Sequence, residues 1–268
     1  RAGVAGLQGV SRVPFDRYMG DNIDSVALLE KMLGDGSSGI DAPAAIMLET
    51  VQGEGGLNAA SPEFVRRVGE LAKKHGALFI IDDIQAGCGR TGTFFSFEEM
   101  GVEPDLITMA KSLSGMGLPF AAVLVRPEHD IWNPAEHNGT FRGNVHAFLT
   151  AKVALEKFWA NDSFQKEIAK KSETLKTRLT EIAKKIPNSR LKGRGMMQGV
   201  DVGNGDLAGE ICARAFEKGL IIETSGAHDE VVKVLAPLTT PEDTFARGLD
   251  ILAEAVQDVT GTQKIAAE

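Results

Sequence analysis

Between Ala44 and Arg126, short apolar runs alternate with amphipathic stretches, and few folds satisfy that alternation. Ala44-Ala-Ile-Met-Leu48 is a continuous apolar run, the pattern of a strand buried on both faces. Ser61-Pro62-Glu63 then supplies an N-cap hydroxyl, a proline at the first helical position and an early acid. The helix that opens there runs to His75, where Gly76 stops it. Ala77-Leu-Phe-Ile-Ile81, Leu106-Ile-Thr-Met-Ala110 and Ala121-Ala-Val-Leu-Val125 are further strand candidates. Strand–helix–strand order requires crossover connections, so the expected class is α/β with a mostly parallel, helix-covered sheet.

After His146 the texture changes. A helical pattern covers Ala147 to Ile186, interrupted near Asn161-Asp162-Ser163 and ended by Pro187. Strand-like segments follow at 198–202, 220–223 and 231–235, with a helix at Leu207–Lys218 between the first two. A last helix opens at Thr240-Pro241-Glu242-Asp243. The chain therefore divides near residue 160, into a large domain (1–160) and a smaller C-terminal α+β domain (161–268). It opens at Arg1 in a Gly/Ala-rich stretch that reads as the interior of a longer sequence.

Charge and cysteine usage narrow the function. With 29 Lys plus Arg against 37 Asp plus Glu, the formal net charge is −8. That acidity lacks the positive field that nucleic acid or an anionic membrane requires, so neither is an expected partner. The longest apolar runs, such as Ala77–Ile81, fall far short of the ~20 residues that span a bilayer. Cys88 and Cys212 stand far apart and the histidines lack a His-x3-His spacing. No disulfide framework and no metal site are expected, and a reducing cytoplasm is the expected compartment.

In parallel α/β sheets, ligands gather at the carboxyl ends of the strands. Three apolar runs finish in an ionisable residue there: Glu49, Asp82 and Lys111. Any one of them reads equally as the first solvated residue after a strand; three in succession point to a site. A lysine forms a Schiff base with an aldehyde cofactor once its amine is neutral. An aspartate facing a pyridine nitrogen keeps that nitrogen protonated, because an adjacent anion stabilises the cation. The protonated ring then withdraws electrons from a substrate carbanion, which is the pyridoxal-phosphate arrangement. Asp82 and Asp83 are neighbours on one strand, so they face opposite sides and make a poor acid/base dyad. Gly87-x-Gly89-x-x-Gly92 formally matches a dinucleotide fingerprint, but Thr93-Phe-Phe-Ser-Phe97 follows it where a helix should start.

Four blocks in order carry a family resemblance: Glu49-Thr-Val-Gln-Gly-Glu-Gly-Gly56, Ile80-Ile-Asp-Asp-Ile-Gln-x-Gly-x-Gly-Arg-Thr-Gly92, Met109-Ala-Lys-Ser-Leu-Ser-Gly115 and Gly139-Thr-Phe-Arg-Gly-Asn144. From about Pro14 onward the chain resembles the class III pyridoxal-phosphate aminotransferases. The resemblance implies the fold-type I large domain with its mostly parallel sheet, pyridoxal 5'-phosphate as cofactor, amino-acid and oxo-acid substrates, and a homodimer or higher homo-oligomer. It implies that Lys111 bonds to the cofactor and shuttles the proton, that Asp82 partners the pyridinium nitrogen and that Gln85 meets the phenolic oxygen. Ile84 matches the residue packed under the ring, and Thr140 the threonine that reaches the phosphate across a dimer interface. Glu54 matches the family's gating glutamate, and Glu49 the acid that opens the same motif; both are expected at the substrate.

Departures refine the expectation. Lys233, in Val231-Val-Lys-Val-Leu-Ala-Pro-Leu238, stands where the family often places a carboxylate-clamping arginine. Lysine offers a point charge without a bidentate fork, and a strand lysine turned to solvent is the equal alternative. With Arg142 and the opening Arg12-Val-Pro-Phe-Asp16, these traits look most like a branch that transfers the amino group of glutamate to aspartate 4-semialdehyde. The 4-aminobutyrate and ornithine branches remain the alternatives, as does a non-catalytic fragment. The family's upstream phosphate loop and ring-stacking aromatic are not recognisable before Ser11, so the chain is read as lacking the enzyme's N-terminal part, with weakened cofactor binding expected.

Overall fold

The computed structural model describes residues 9–267, with side chains described through residue 261. The Gly/Ala-rich opening lies largely outside those residues. In chain order the helices are α1 (Ser25–Leu33), α2 (Pro62–Lys74), α3 (Val145–Phe158), α4 (Ser163–Ala183), α5 (Gly205–Glu217) and α6 (Glu242–Ala267). The strands are β1 (Ala45–Glu49), β2 (Leu78–Asp82), β3 (Leu106–Met109), β4 (Ala122–Val125), β5 (Arg190–Arg194), β6 (Met197–Asp201), β7 (Glu223–Ser225) and β8 (Val231–Val234).

The first sheet has the order β1-β2-β3-β4. β1, β2 and β3 run parallel and β4 returns antiparallel, so the three apolar runs that finish in charge end on one edge. Ser61 caps α2 by accepting the Phe64 N–H at 3.2 Å, with Pro62 at the first turn. α2 lays Val65, Val68 and Leu71 against Phe79 and Ile81 of β2. Gly69 lets it approach: a Cβ there would lie 3.3 Å from the Phe79 ring. Burial is not equal on both faces. Met47 of β1 and Val123 of β4 are exposed, so β1 is not buried on both faces as its apolar run suggests. α1 and α2 pack onto the Phe79–Ile81 face, which leaves the face bearing Met47, Glu49 and Asp82 more open.

The second sheet has the order β5-β6-β8-β7 and is antiparallel throughout. Its core joins Ile168, Leu175 and Leu179 of α4 to Val200, Ile211, Val232 and Leu252. The expected helix break at 161–163 separates α3 from α4. The strand expected at 220–223 begins only at Glu223. The Leu220 N–H closes on the Ala215 carbonyl at 2.9 Å, and pairing with β8 starts where Glu223 meets Lys233. β5 escapes the sequence reading because Arg190-Leu-Lys-Gly-Arg194 has no apolar run. Val51, Leu57 and Ala86 from the first half meet Met197 and Val231 from the second in a small cluster between the sheets. No described helix is long and apolar enough to cross a membrane.

Candidate active site

Glu49 and Asp82 are the last residues of adjacent parallel strands and are paired in register, so their side chains leave the same face. Asp83 turns the other way. It is buried, accepts the Ser96 N–H at 3.0 Å, and its carboxyl is pushed above the usual range chiefly by burial. The two aspartates are thus divided as alternation requires. The Ile84 N–H donates to one oxygen of Asp82 at 3.0 Å.

Past β3 the backbone kinks. Ala110 is extended, and Lys111 sits at φ +46°, in the left-handed region that side chains rarely adopt. A short 3-10 turn, Lys111–Ser114, follows and ends at Gly115 (φ +70°), where any Cβ would lie 2.5 Å from Ala154 of α3. This contact holds the turn against α3 and leaves the Lys111 side chain exposed.

The loop after β1 folds back over the strand ends. Glu49 accepts the Gly53 N–H at 3.0 Å, and burial raises its carboxyl above the ordinary range, with the Asp82 charge adding and the Lys111 charge opposing. Gly53 lets the Gln85 side chain lie close: a Cβ would stand 2.0 Å from its amide oxygen and push that side chain aside. The Gln85 Nε2 donates to Glu54 at 3.3 Å, which with the Lys233 charge holds Glu54 below the usual carboxylate range. Among the described residues the buried amide oxygen of Gln85 has no hydrogen-bond partner. Ile84 is half-buried beside it.

Lys233 does not face solvent. It is 1% exposed, and its amine lies 3.3 Å from Glu54 and 2.9 Å from Glu223, which are 80% and 63% exposed. Glu54, Gln85 and Lys233 therefore connect to Glu49 through the loop after β1, where Glu49 holds the Gly53 N–H while Gln85 and Lys233 hold Glu54. Glu223 and Ser225 went unread. The Ser225 hydroxyl donates to the Gly53 carbonyl at 2.9 Å and accepts the Gly56 N–H at 3.2 Å, while the Gly226 N–H donates to the Glu54 carbonyl at 3.2 Å. Glu223 carries the same sequence signal as Glu49 and Asp82, an apolar run (Leu220–Ile222) that ends in an acid.

Two motifs fall elsewhere. Gly87–Gly92 forms a series of turns with no helix after it, and a Cβ on Gly87 would strike the Asp83 carboxylate at 2.7 Å. Gly87 makes room for Asp83 and Gly89 for Trp159 and Ile168, which with the missing helix removes the dinucleotide reading. Thr140 is exposed on the loop before α3. It lines an open cavity of about 1790 Å³ with β4, Trp132 and Phe141, apart from Lys111 and Asp82.

The family model described as Aminotransferase class-III matches residues 8–256. A diaminobutyrate–2-oxoglutarate transaminase of Vibrio cholerae is 58% identical over 94% of this chain. Enzymes of the same name from Oceanobacillus iheyensis and Halomonas elongata are 54% and 51% identical, each over 91%. The chain spans 61%, 58% and 59% of those three proteins' lengths. Among solved structures, N-acetylornithine aminotransferase from Stenotrophomonas maltophilia superposes with TM-score 0.74 at 33% identity, covering 91% of this chain and 61% of that one. Ornithine delta-aminotransferase from Plasmodium falciparum gives TM-score 0.74 at 27% identity, covering 89% and 60%.

Proposed function

The chain belongs to the class III aminotransferases, and on that premise we propose that the full-length protein transfers an amino group from L-glutamate to L-aspartate 4-semialdehyde, giving L-2,4-diaminobutanoate and 2-oxoglutarate. The observation that carries this reading is 58% identity, over 94% of the chain, to a transaminase whose name joins those two products. Pyridoxal phosphate is the cofactor of this proposal, and the strand-end residues fit it. An exposed amine (Lys111), a carboxylate one strand away (Asp82) and a buried amide with an unpartnered oxygen (Gln85) suit an aldehyde, a pyridine nitrogen and a phenol in chemical kind.

The chemistry that the bound cofactor supplies is an electron sink for the carbanion left when the amine-bearing carbon loses its proton. Lys111 holds the cofactor and moves that proton at its Nζ. Asp82 keeps a proton on the ring nitrogen by stabilising the cation. Gln85 would hold the ring's phenolic oxygen with its side-chain amide, and Ile84 would supply an apolar contact to the ring. Glu49 lines the substrate side, and Lys233 binds a substrate carboxylate when Glu54 swings away from it.

A cytoplasmic homodimer completes the proposal, with Thr140 serving the partner's site. The exposed apolar surface near Thr140, with Phe141 99% exposed, supports burial by a second copy. The division near residue 160, between a cofactor portion and a C-terminal portion, is part of the same reading. The test is amino transfer by the full-length protein from glutamate to aspartate semialdehyde, beside ornithine and 4-aminobutyrate. Preference for either of the latter rejects the assignment.

A further inference from the structure

Asp82 has a neighbour in register on each side, Glu49 on β1 and Thr108 on β3. Register partners of parallel strands leave the same face of the sheet at the spacing of adjacent strands, about 4.8 Å. All three therefore stand on the open face, opposite the one where Ile81 and Ile107 pack with α2. The hydroxyl oxygen of Thr108 is buried, and among the described residues it has no hydrogen-bond partner. Its backbone is fixed, because the Thr108 carbonyl accepts the Asp83 N–H at 2.9 Å. A buried hydroxyl left unpaired costs the fold free energy, and valine would match its shape on a strand without that cost. The sheet offers this hydroxyl one acceptor side chain in register. Val123, its partner on β4, is apolar, whereas Asp82 has lone pairs beyond the one that takes the Ile84 N–H at 3.0 Å. Seen from Asp82, Glu49 is occupied with the Gly53 N–H and donates nothing when ionised. Of the two side chains that flank Asp82, only Thr108 carries a donor at every pH.

We propose that Thr108 is a positioning residue for Asp82: its hydroxyl donates to the Asp82 carboxylate and keeps that carboxylate anionic and aimed at the pyridine nitrogen of the cofactor. This rests on the transaminase reading above and adds a residue to it. Rotation about side-chain bonds is enough to make the contact, so the backbone need not move. A donor on the carboxylate stabilises its charged form, so the proton shared with the ring stays on nitrogen instead of passing to Asp82. Thr108 then acts on the reaction only through Asp82.

The test loads the full-length protein with pyridoxal phosphate whose ring nitrogen is isotopically labelled, in wild type, Thr108→Val and Thr108→Ser. The chemical shift of that nitrogen reads its protonation directly. Wild type and Thr108→Ser are expected to hold a protonated ring, and Thr108→Val to move the signal toward neutral nitrogen. Thr108→Val is also expected to lower kcat about tenfold with the KM for glutamate little changed, and to weaken cofactor binding. Without cofactor, Thr108→Val is expected to be at least as stable as wild type in urea, since it loses no bond there. A wild-type nitrogen signal in Thr108→Val overturns the proposal, as does a loss that Thr108→Ser does not recover. An equal loss of stability with and without cofactor marks a packing role and overturns it too. In each of these cases the transaminase reading stands, so long as wild type binds the cofactor and transfers the amino group. A wild type that does neither rejects that reading and the proposal together.

Discussion

At the scale of single residues, the site depends on what each strand end does with its charge. Lys111 leaves β3 through a left-handed backbone that costs an L-residue roughly 1–2 kcal/mol, and its side chain is exposed. Its replacement therefore removes chemistry without removing packing. Lys111→Ala in the full-length protein is expected to abolish amino transfer with an unchanged far-ultraviolet circular dichroism spectrum. Asp82→Asn is expected to raise the barrier by at least ~4 kcal/mol, read as a thousandfold fall in kcat; near-normal rates would remove the role given to Asp82. Glu49 gives a stability prediction of definite sign. Burial raises its carboxyl in the folded state, so the folded state favours the protonated form, and that advantage disappears as pH rises through the folded value. Glu49→Gln is thus expected to gain stability over wild type at pH 7, and the gain should vanish at pH 4. Urea denaturation at both values checks it.

At the scale of elements, local patterning made much of the frame readable. The capping signature at Ser61, the break near 161–163 and the apolar runs at β1, β2, β3 and β4 each follow from side chains next in sequence. β5 was not readable, since its Arg, Lys and Gly residues take strand form only by pairing with β6. Lys233 shows the same limit within the site. Its sequence context fits a clamp or a solvent-facing lysine equally, because the acids that pair with it stand 179 residues upstream and on a neighbouring strand. Thr140 is the opposite case, a motif residue whose proposed role depends on a second subunit. The Ser225 tie is likewise non-local and is testable. Ser225→Ala leaves the Gly56 N–H and the Gly53 carbonyl without their buried partner, and is expected to cost about 1–3 kcal/mol in denaturant unfolding.

Across the whole molecule, the two sheets are joined by polar contacts as much as by the small apolar cluster at Leu57 and Met197. Arg194 of β5 reaches into the first half and donates to the Ser96 carbonyl at 2.5 Å and to Thr91 and Thr50 at 3.3 Å, with the Asp83 charge nearby. Burial lowers its pKa, so the surrounding acceptors and Asp83 must hold the charge in place. Arg194→Met leaves the Ser96 and Thr91 carbonyls without its N–H donors and removes a cation that favours the charged form of Asp83, and is expected to cost about 1–3 kcal/mol. Adding Asp83→Asn should recover part of that loss, and a double-mutant cycle measures the share. The bonds around Ser225 also set a clock for solvent. Because the amides of Gly56 and Gly226 are locked between halves, their deuterium uptake should follow opening of the entire seam, at the slow pace of the neighbouring strands, rather than the rapid fraying of an ordinary surface turn.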